Sequence, residues 1–315
     1  MSYLIKSKMN IAVRLEGGLG DHLLGNRFIH AIKDKYPNSD LHIFSDTEDN
    51  PKSINLLKTL FPNIYTNTTV VGQRKDKNFK IQSIFGEECF PAHIDNLPEN
   101  TLEAIKNCEI FYDLHIDGLK WLNYDFDWLR YYYFFPRPQL ELKQKYNEKY
   151  IMAHLYARPD SPYNLDQGYV IDLLTKLSEI KDHKIVVITM QEHKNYYAEL
   201  FNNPNIIIDT SDNVFDIFKI AAGSSAFIGI DSGVRYIPYH FSKPTFVFSK
   251  YCSQYGSVNP SHLIRWLIFE KNVFPIGFNT KLVTEVLSNC IENPASRLFP
   301  QYINGIDRIV IDRKL

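Results

Sequence analysis

"MNIAVRLEGGLGDHLLGNRFIHAIKDKYPNSDLHIFSD", residues 9–46, is the stretch whose reading decides the fold class. A β-prone apolar run (9–15) ends in a glycine turn containing Gly17, Gly18 and Gly20. Apolar residues then recur at helical spacing, at Leu23, Leu24, Phe28, Ile29 and Ile32, until Pro37 and Asn38 stop the helix. A second apolar run follows at 40–46. Strand, turn, helix and strand joined this closely predict a βαβ unit with parallel strands. Glycines let the backbone come close to a ligand, and the free amides of a helix start favour negative charge. A carboxylate at that point, Asp21, therefore needs a reason. Either it charges the first helical turn, which stabilises any helix, or it serves a ligand group that is not an anion.

The same rhythm restarts beyond a proline- and lysine-rich connection, "FFPRPQLELKQKYNEK" (134–149). Strands are expected at 150–156, 184–190, 205–210, 226–231 and 244–249, with helices at 167–180, 192–201, 213–224 and 233–242. Their apolar runs are continuous rather than alternating, as in parallel sheets covered on both faces. In the first half a helix is expected at 51–61, and weaker elements at 80–86, 102–108 and 109–115. The expected fold is α/β with two Rossmann-like domains. The first is residues 1–147 and the second 148–290, with a C-terminal tail, 291–315, that returns to the first. Ligands of such sheets bind beyond the strand carboxyl ends, and the cleft between two such domains is the expected site.

The bulk numbers exclude several classes. In 315 residues the formal net charge is −1, so neither sign dominates and no nucleic-acid signal emerges. Cys89, Cys108, Cys252 and Cys290 form no CxxC pair and read as reduced thiols of a cytoplasmic protein, without a metal site. No apolar run reaches bilayer length, and the N-terminus lacks a signal-peptide core, which leaves peripheral contact as the expected form of any membrane association.

A second stretch, "FIGIDSGVRYIPYHFSKPTFVFS" (227–249), carries the other candidates. A strand ends in Asp231-Ser232-Gly233 and helical spacing begins at once. Gly233 permits close approach and Ser232 can donate to a phosphate oxygen. Arg235, in the first turn, opposes the helix dipole, which makes sense where an anion binds. The plain alternative is that Asp231 and Ser232 cap the helix and Arg235 is a solvated surface residue.

These two stretches resemble the GT-B glycosyltransferases of the heptosyltransferase type, glycosyltransferase family 9. "GGLGD" at 17–21 is similar to that family's loop after the first strand, and "IGIDSGVRYIPYHFSKPTFVFS" at 228–249 to its second-domain block. The lead-in "DNVFDIFKIAAGSSAF" (212–227) is similar too. The resemblance implies an inverting transfer from a nucleotide-diphosphate sugar to a hydroxyl acceptor such as a saccharide. No cofactor or metal is implied, because GT-B enzymes stabilise the diphosphate with helix dipoles and cations. Asp21 would be the general base, with Gly17, Gly18, Gly20 and His22 forming the acceptor-side loop. An Asp in water, with a pKa near ~4, is a weak base. Loss of water strengthens it, and a helix start weakens it.

Asp231, Ser232 and Gly233 would hold the donor. Tyr236 stands where the family has a histidine, so Arg235 and Tyr236 together are the candidates for its role. Arg158 is a candidate diphosphate contact and His154 a further one, against a surface arginine and a packed histidine. Glu192 is a candidate for a ribose hydroxyl, against a solvated helix-start acid. Because of these departures heptose is not carried over.

Four other readings stand beside this one. "HLYARPD" (154–160) admits comparison with a fucosyltransferase strand. Gly18-Leu19-Gly20 with Asp46 admits an NAD-dependent oxidoreductase, although Leu23 occupies the third glycine position. A non-catalytic sugar-nucleotide-binding protein would keep the donor residues alone. "DFD" (125–127) is similar to the metal-binding acids of the other glycosyltransferase fold, and the tyrosine-rich 121–135 is a candidate acceptor surface or simply packing.

Overall fold

In the computed structural model the described residues are 9–15, 19–45, 50–65, 68–73, 108–113, 135–211, 213–249 and 270–293. Gly17, Gly18, Asp46, the segments 80–86, 102–107 and 121–134 (with "DFD" inside the last), and the tail beyond Asn293 lie outside them. The chain divides into two compact units, Met1–Glu141 and Leu142–Leu315.

In the first unit β1 (Asn10–Arg14), α1 (Leu19–Lys35) and β2 (Asp40–Ser45) follow the sequence reading closely. Next come α2 (Asn50–Leu60), β3 (Thr68–Gln73) and β4 (Ile110–Asp113). The strands are parallel in the order β3-β2-β1-β4, with Ile11 opposite both Leu41 and Ile110. Ile11, Ala12 and Val13 are all fully buried, which explains why β1 reads as an unbroken apolar run. Phe28, Ile29 and Ile32 of α1 and Ile54, Leu57 and Leu60 of α2 belong to the same core. α1 also lies close to the end of β1. A Cβ on Gly25 would come 2.6 Å from Leu15 Cδ2, so a side chain there would have to displace the tip of Leu15.

The second unit contains β5 (Tyr150–His154), α3 (Gln167–Leu177), β6 (Lys184–Ile188) and β7 (Ile206–Asp209). α4 (Val214–Gly223), β8 (Ala226–Ile230), β9 (Thr245–Ser249), β10 (Glu270–Pro275) and α5 (Thr280–Glu292) complete it. Asp166, Asn213 and Asn279 cap α3, α4 and α5, each accepting a backbone N–H of the first turn. Between β6 and β7 the expected helix is a 3₁₀ segment, Gln191–Leu200, interrupted at Tyr197. The expected helix at 233–242 is two 3₁₀ segments, Gly233–Tyr236 and Pro238–Phe241, meeting at Ile237 ahead of a proline that cannot donate.

All six strands are parallel, in the order β10-β9-β8-β5-β6-β7. This is the doubly wound dinucleotide-fold order, and it reverses direction between β5 and β8. The connecting segment is less free than its composition suggests. Lys145 pairs with Asp209 at 2.8 Å, Tyr146 donates to the same carboxylate at 2.5 Å, and Ser211 N–H donates to it at 2.9 Å. Burial alone would raise the Asp209 pKa, but these partners outweigh it and hold the carboxyl below its usual value.

Gly229 sits opposite His154 across the reversal. A Cβ there would lie 2.9 Å from the His154 carbonyl oxygen and 2.4 Å from the buried Phe227 ring. Gly229→Ala is therefore expected to lower stability by about 1–3 kcal/mol through overpacking, read from the urea midpoint at unchanged slope.

Candidate functional site

The carboxyl ends of β5 and β8 flank the point where the strand order reverses, which is where ligands enter folds of this kind. His154 is the last residue of β5, and Asp231, Ser232 and Gly233 follow β8 directly. The two strand ends are bridged: Ser232 Oγ lies 3.1 Å from His154 Nδ1. His154 is 8% exposed, and burial pushes its ring pKa down to about 4, so the imidazole is neutral near pH 7.

Asp231 and Ser232 remain partly accessible, whereas Arg235 is fully buried. The anion that Arg235 meets is internal. Its Nη1 lies 2.8 Å from Asp231 Oδ1, and its Nη2 donates to the Tyr236 hydroxyl at 3.0 Å. Tyr236 in turn packs edge-on against Tyr239. Arg235 is thus neither a solvated surface residue nor an open anion hook. It holds Asp231 from below, and Tyr236 holds it. With only four residues, the segment that begins at Gly233 has little of the dipole expected of a full helix.

The other donor candidates lie further out. The Arg158 side chain is 78% exposed and pairs with Asp160 at 3.2 Å. Its carbonyl accepts from Ser161 N–H and Asn164 Nδ2, closing a turn after β5. Glu192 is exposed in the first turn of Gln191–Leu200. Beside it an aromatic group joins the loops after β5 and β6, with Tyr156 stacked on Tyr196 at 4.2 Å and edge-on to His193 at 5.1 Å. Sequence periodicity gave no sign of this group, because its members come from two loops.

In the first unit, Asp21 and Gly20 open α1 at the carboxyl edge of β1, with Asp21 half-buried and His22 buried. Four residues on from His22, Asn26 accepts the Tyr65 hydroxyl proton at 2.8 Å. Next on that row is His30, edge-on to Phe61 at 5.5 Å. Burial pushes its pKa down to about 4 against a smaller opposing pull from Asp34.

Among the described residues no three His, Cys, Asp or Glu side chains gather as a metal ion would need, and no helix is long and apolar enough to cross a membrane.

No protein-family model matches the sequence, and no curated protein matches it either. Solved structures are similar over almost the whole chain. The E. coli ADP-heptose LPS heptosyltransferase II superposes with a TM-score of 0.57 at 11% identity, covering 91% of this chain and 100% of its own. The E. coli heptosyltransferase WaaC with ADP gives 0.53 at 11% identity, covering 92% and 99%. A glycosyl transferase family 9 protein from Veillonella parvula gives 0.52 at 13% identity, covering 85% and 87%. In fold, the chain resembles the GT-B heptosyltransferases. At these identities the likeness is one of fold.

Two buried neutral histidines make a pH test of this geometry. The unfolded ring takes its proton near 6.5 and the folded ring only near 4. Between those values the unfolded chain binds more protons, so stability present above pH 6.5 is lost as the pH falls. Urea unfolding between pH 7 and pH 4.5 is expected to lose up to about 3 kcal/mol per histidine, and His154→Gln to remove its share of that slope.

Proposed function

We propose that this chain is an inverting glycosyltransferase that moves a sugar from a nucleotide-diphosphate donor to a hydroxyl acceptor. Asp231, Ser232 and Gly233 take the donor, with Arg235 and Tyr236 keeping Asp231 in place. Asp21 takes the proton of the acceptor hydroxyl as its oxygen attacks the anomeric carbon. The bond from that carbon to the diphosphate oxygen breaks, and the nucleoside diphosphate leaves. The acceptor is a saccharide or another hydroxyl compound.

The observation that carries this reading is the position of Asp231-Ser232-Gly233, directly beyond β8 at the reversal of strand order. The fold likeness and the "GGLGD" resemblance support it. Asp21 suits the base's role in one further respect. It opens α1 beside β1 and is half-buried, whereas the helix behind it, from His22 to Lys33, is buried throughout.

The test is release of nucleoside diphosphate from ADP-, GDP-, UDP-, CDP- and dTDP-sugars with a panel of saccharide acceptors. Asp21→Asn is expected to lower transfer by about 100-fold or more while donor affinity stays within about threefold. Undiminished turnover in Asp21→Asn would remove the base assignment. Binding of NAD(H) in preference to every sugar nucleotide would point to an oxidoreductase. Donor binding without turnover would point to a binding protein.

A further inference from the structure

The bridge between Ser232 and His154 joins residues 78 apart in sequence at the mouth of the second unit's sheet. We propose that His154 is a positioning residue that turns the Ser232 hydroxyl so that its proton points at the donor's diphosphate. This rests on the donor assignment made for Ser232 above.

A serine hydroxyl carries one proton and two lone pairs, and its rotor is free until a neighbour fixes it. To grip an anion, Ser232 must give that proton to the ligand. A ring with its proton on Nδ1 donates to Ser232 Oγ, occupies a lone pair, and leaves the hydroxyl proton for the ligand. The opposite tautomer would take the serine's proton and turn a lone pair towards the phosphate, which repels it. An anion at Ser232 therefore selects the Nδ1–H form.

The site is built to keep this contact. His154 is held in the ladder by its register with Gly229, and the missing side chain of Gly229 lets the two strand ends approach. Ser232 is fixed in extended backbone, φ −133° and ψ 167°, with its N–H donating to the Ile230 carbonyl at 2.8 Å. Burial keeps the ring neutral, so the relay needs only a choice of tautomer and no buried charge. His154 acts through Ser232 rather than by touching the ligand, as its 8% exposure requires.

The experiment is calorimetric titration of the full chain with ADP, GDP, UDP, CDP and dTDP, and with the matching nucleosides. For the diphosphate that the wild type binds best, His154→Leu is expected to weaken binding about tenfold with nucleoside binding unchanged. His154→Asn, which can present an amide N–H near the Nδ1 position, is expected to restore most of the loss. Ser232→Ala is expected to match His154→Leu, and the double variant to be no worse than either.

Unchanged diphosphate binding in His154→Leu, additive losses, or an equal loss of nucleoside binding would overturn the proposal. Long-range ¹⁵N NMR of the wild type gives a readout that no variant's folding can disturb. Adding the diphosphate is expected to leave the His154 proton on Nδ1, and a bare Nδ1 in the bound state would overturn the proposal. If the wild type bound none of the five diphosphates, the functional reading itself would fall. Binding with an indifferent His154 would remove only this inference.

Discussion

The parallel pairing of β5 with β8 sets Ile151 opposite Ala226 and His154 opposite Gly229, and the second unit's architecture turns on that register. On one side of this pair the sheet grows through β6 and β7, on the other through β9 and β10. Connections from the two central strands leave in opposite directions, which opens a crevice at their carboxyl ends. The interior residues of the pair are apolar and fully buried, while His154 stands in the last ladder pair and the polar Asp231 and Ser232 follow β8 directly. A one-residue slip would exchange the faces of every side chain and separate His154 from Ser232.

Buried charge is handled consistently in this unit. A guanidinium taken wholly out of water is costly unless a carboxylate and further acceptors replace the lost hydration. Arg235 has both, through Asp231 and the Tyr236 hydroxyl. The Asp209 carboxylate at the end of β7 is met by Lys145, Tyr146 and the Ser211 N–H. The two clusters do different work. The one at β7 ties the incoming chain, whose composition is that of a loose linker, to the sheet edge. The one after β8 orders a carboxylate that still reaches partly into solvent.

Much of this fold was legible because burial on both faces writes strands as unbroken apolar runs. "IAVRL", "YIMAH", "KIVVI" and "AFIGI" all became strands within a residue or two of their expected ends. β3, "TTVVGQ", and β10, "EKNVFP", escaped that reading. They stand at the outer edges of their sheets, where polar residues are tolerated, and β10 also carries a register shift between Glu270 and Asn272. α5 escaped it as well, although its buried Val283, Val286, Leu287 and Cys290 keep helical spacing. At the site, Asp231, Ser232 and Gly233 were visible as a polar turn after a buried strand. Depth was not visible. Helical spacing puts Arg235 four residues from Asp231 but cannot say that both turn inward, and no local pattern joins His154 to Ser232.

The question posed by Asp21 has its physical answer in α1. A carboxylate in the first turn complements the partial positive charge of the helix start, so its presence alone is ordinary. What is less ordinary is the helix it opens. From His22 to Lys33 every residue is buried, with Asn26 bonded to Tyr65, Arg27 against Phe28 and Phe135, and Lys33 bonded to the Ser39 carbonyl at 2.5 Å. A helix sunk this deeply can offer chemistry only at its ends. In a parallel sheet the end that adjoins the ligand edge is the amino end, because the helix departs from the strand's carboxyl terminus. Asp21 after β1 and Asp231-Ser232 after β8 therefore occupy the same topological place, each on the carboxyl edge of its own sheet. The same constraint of strand direction accounts for both.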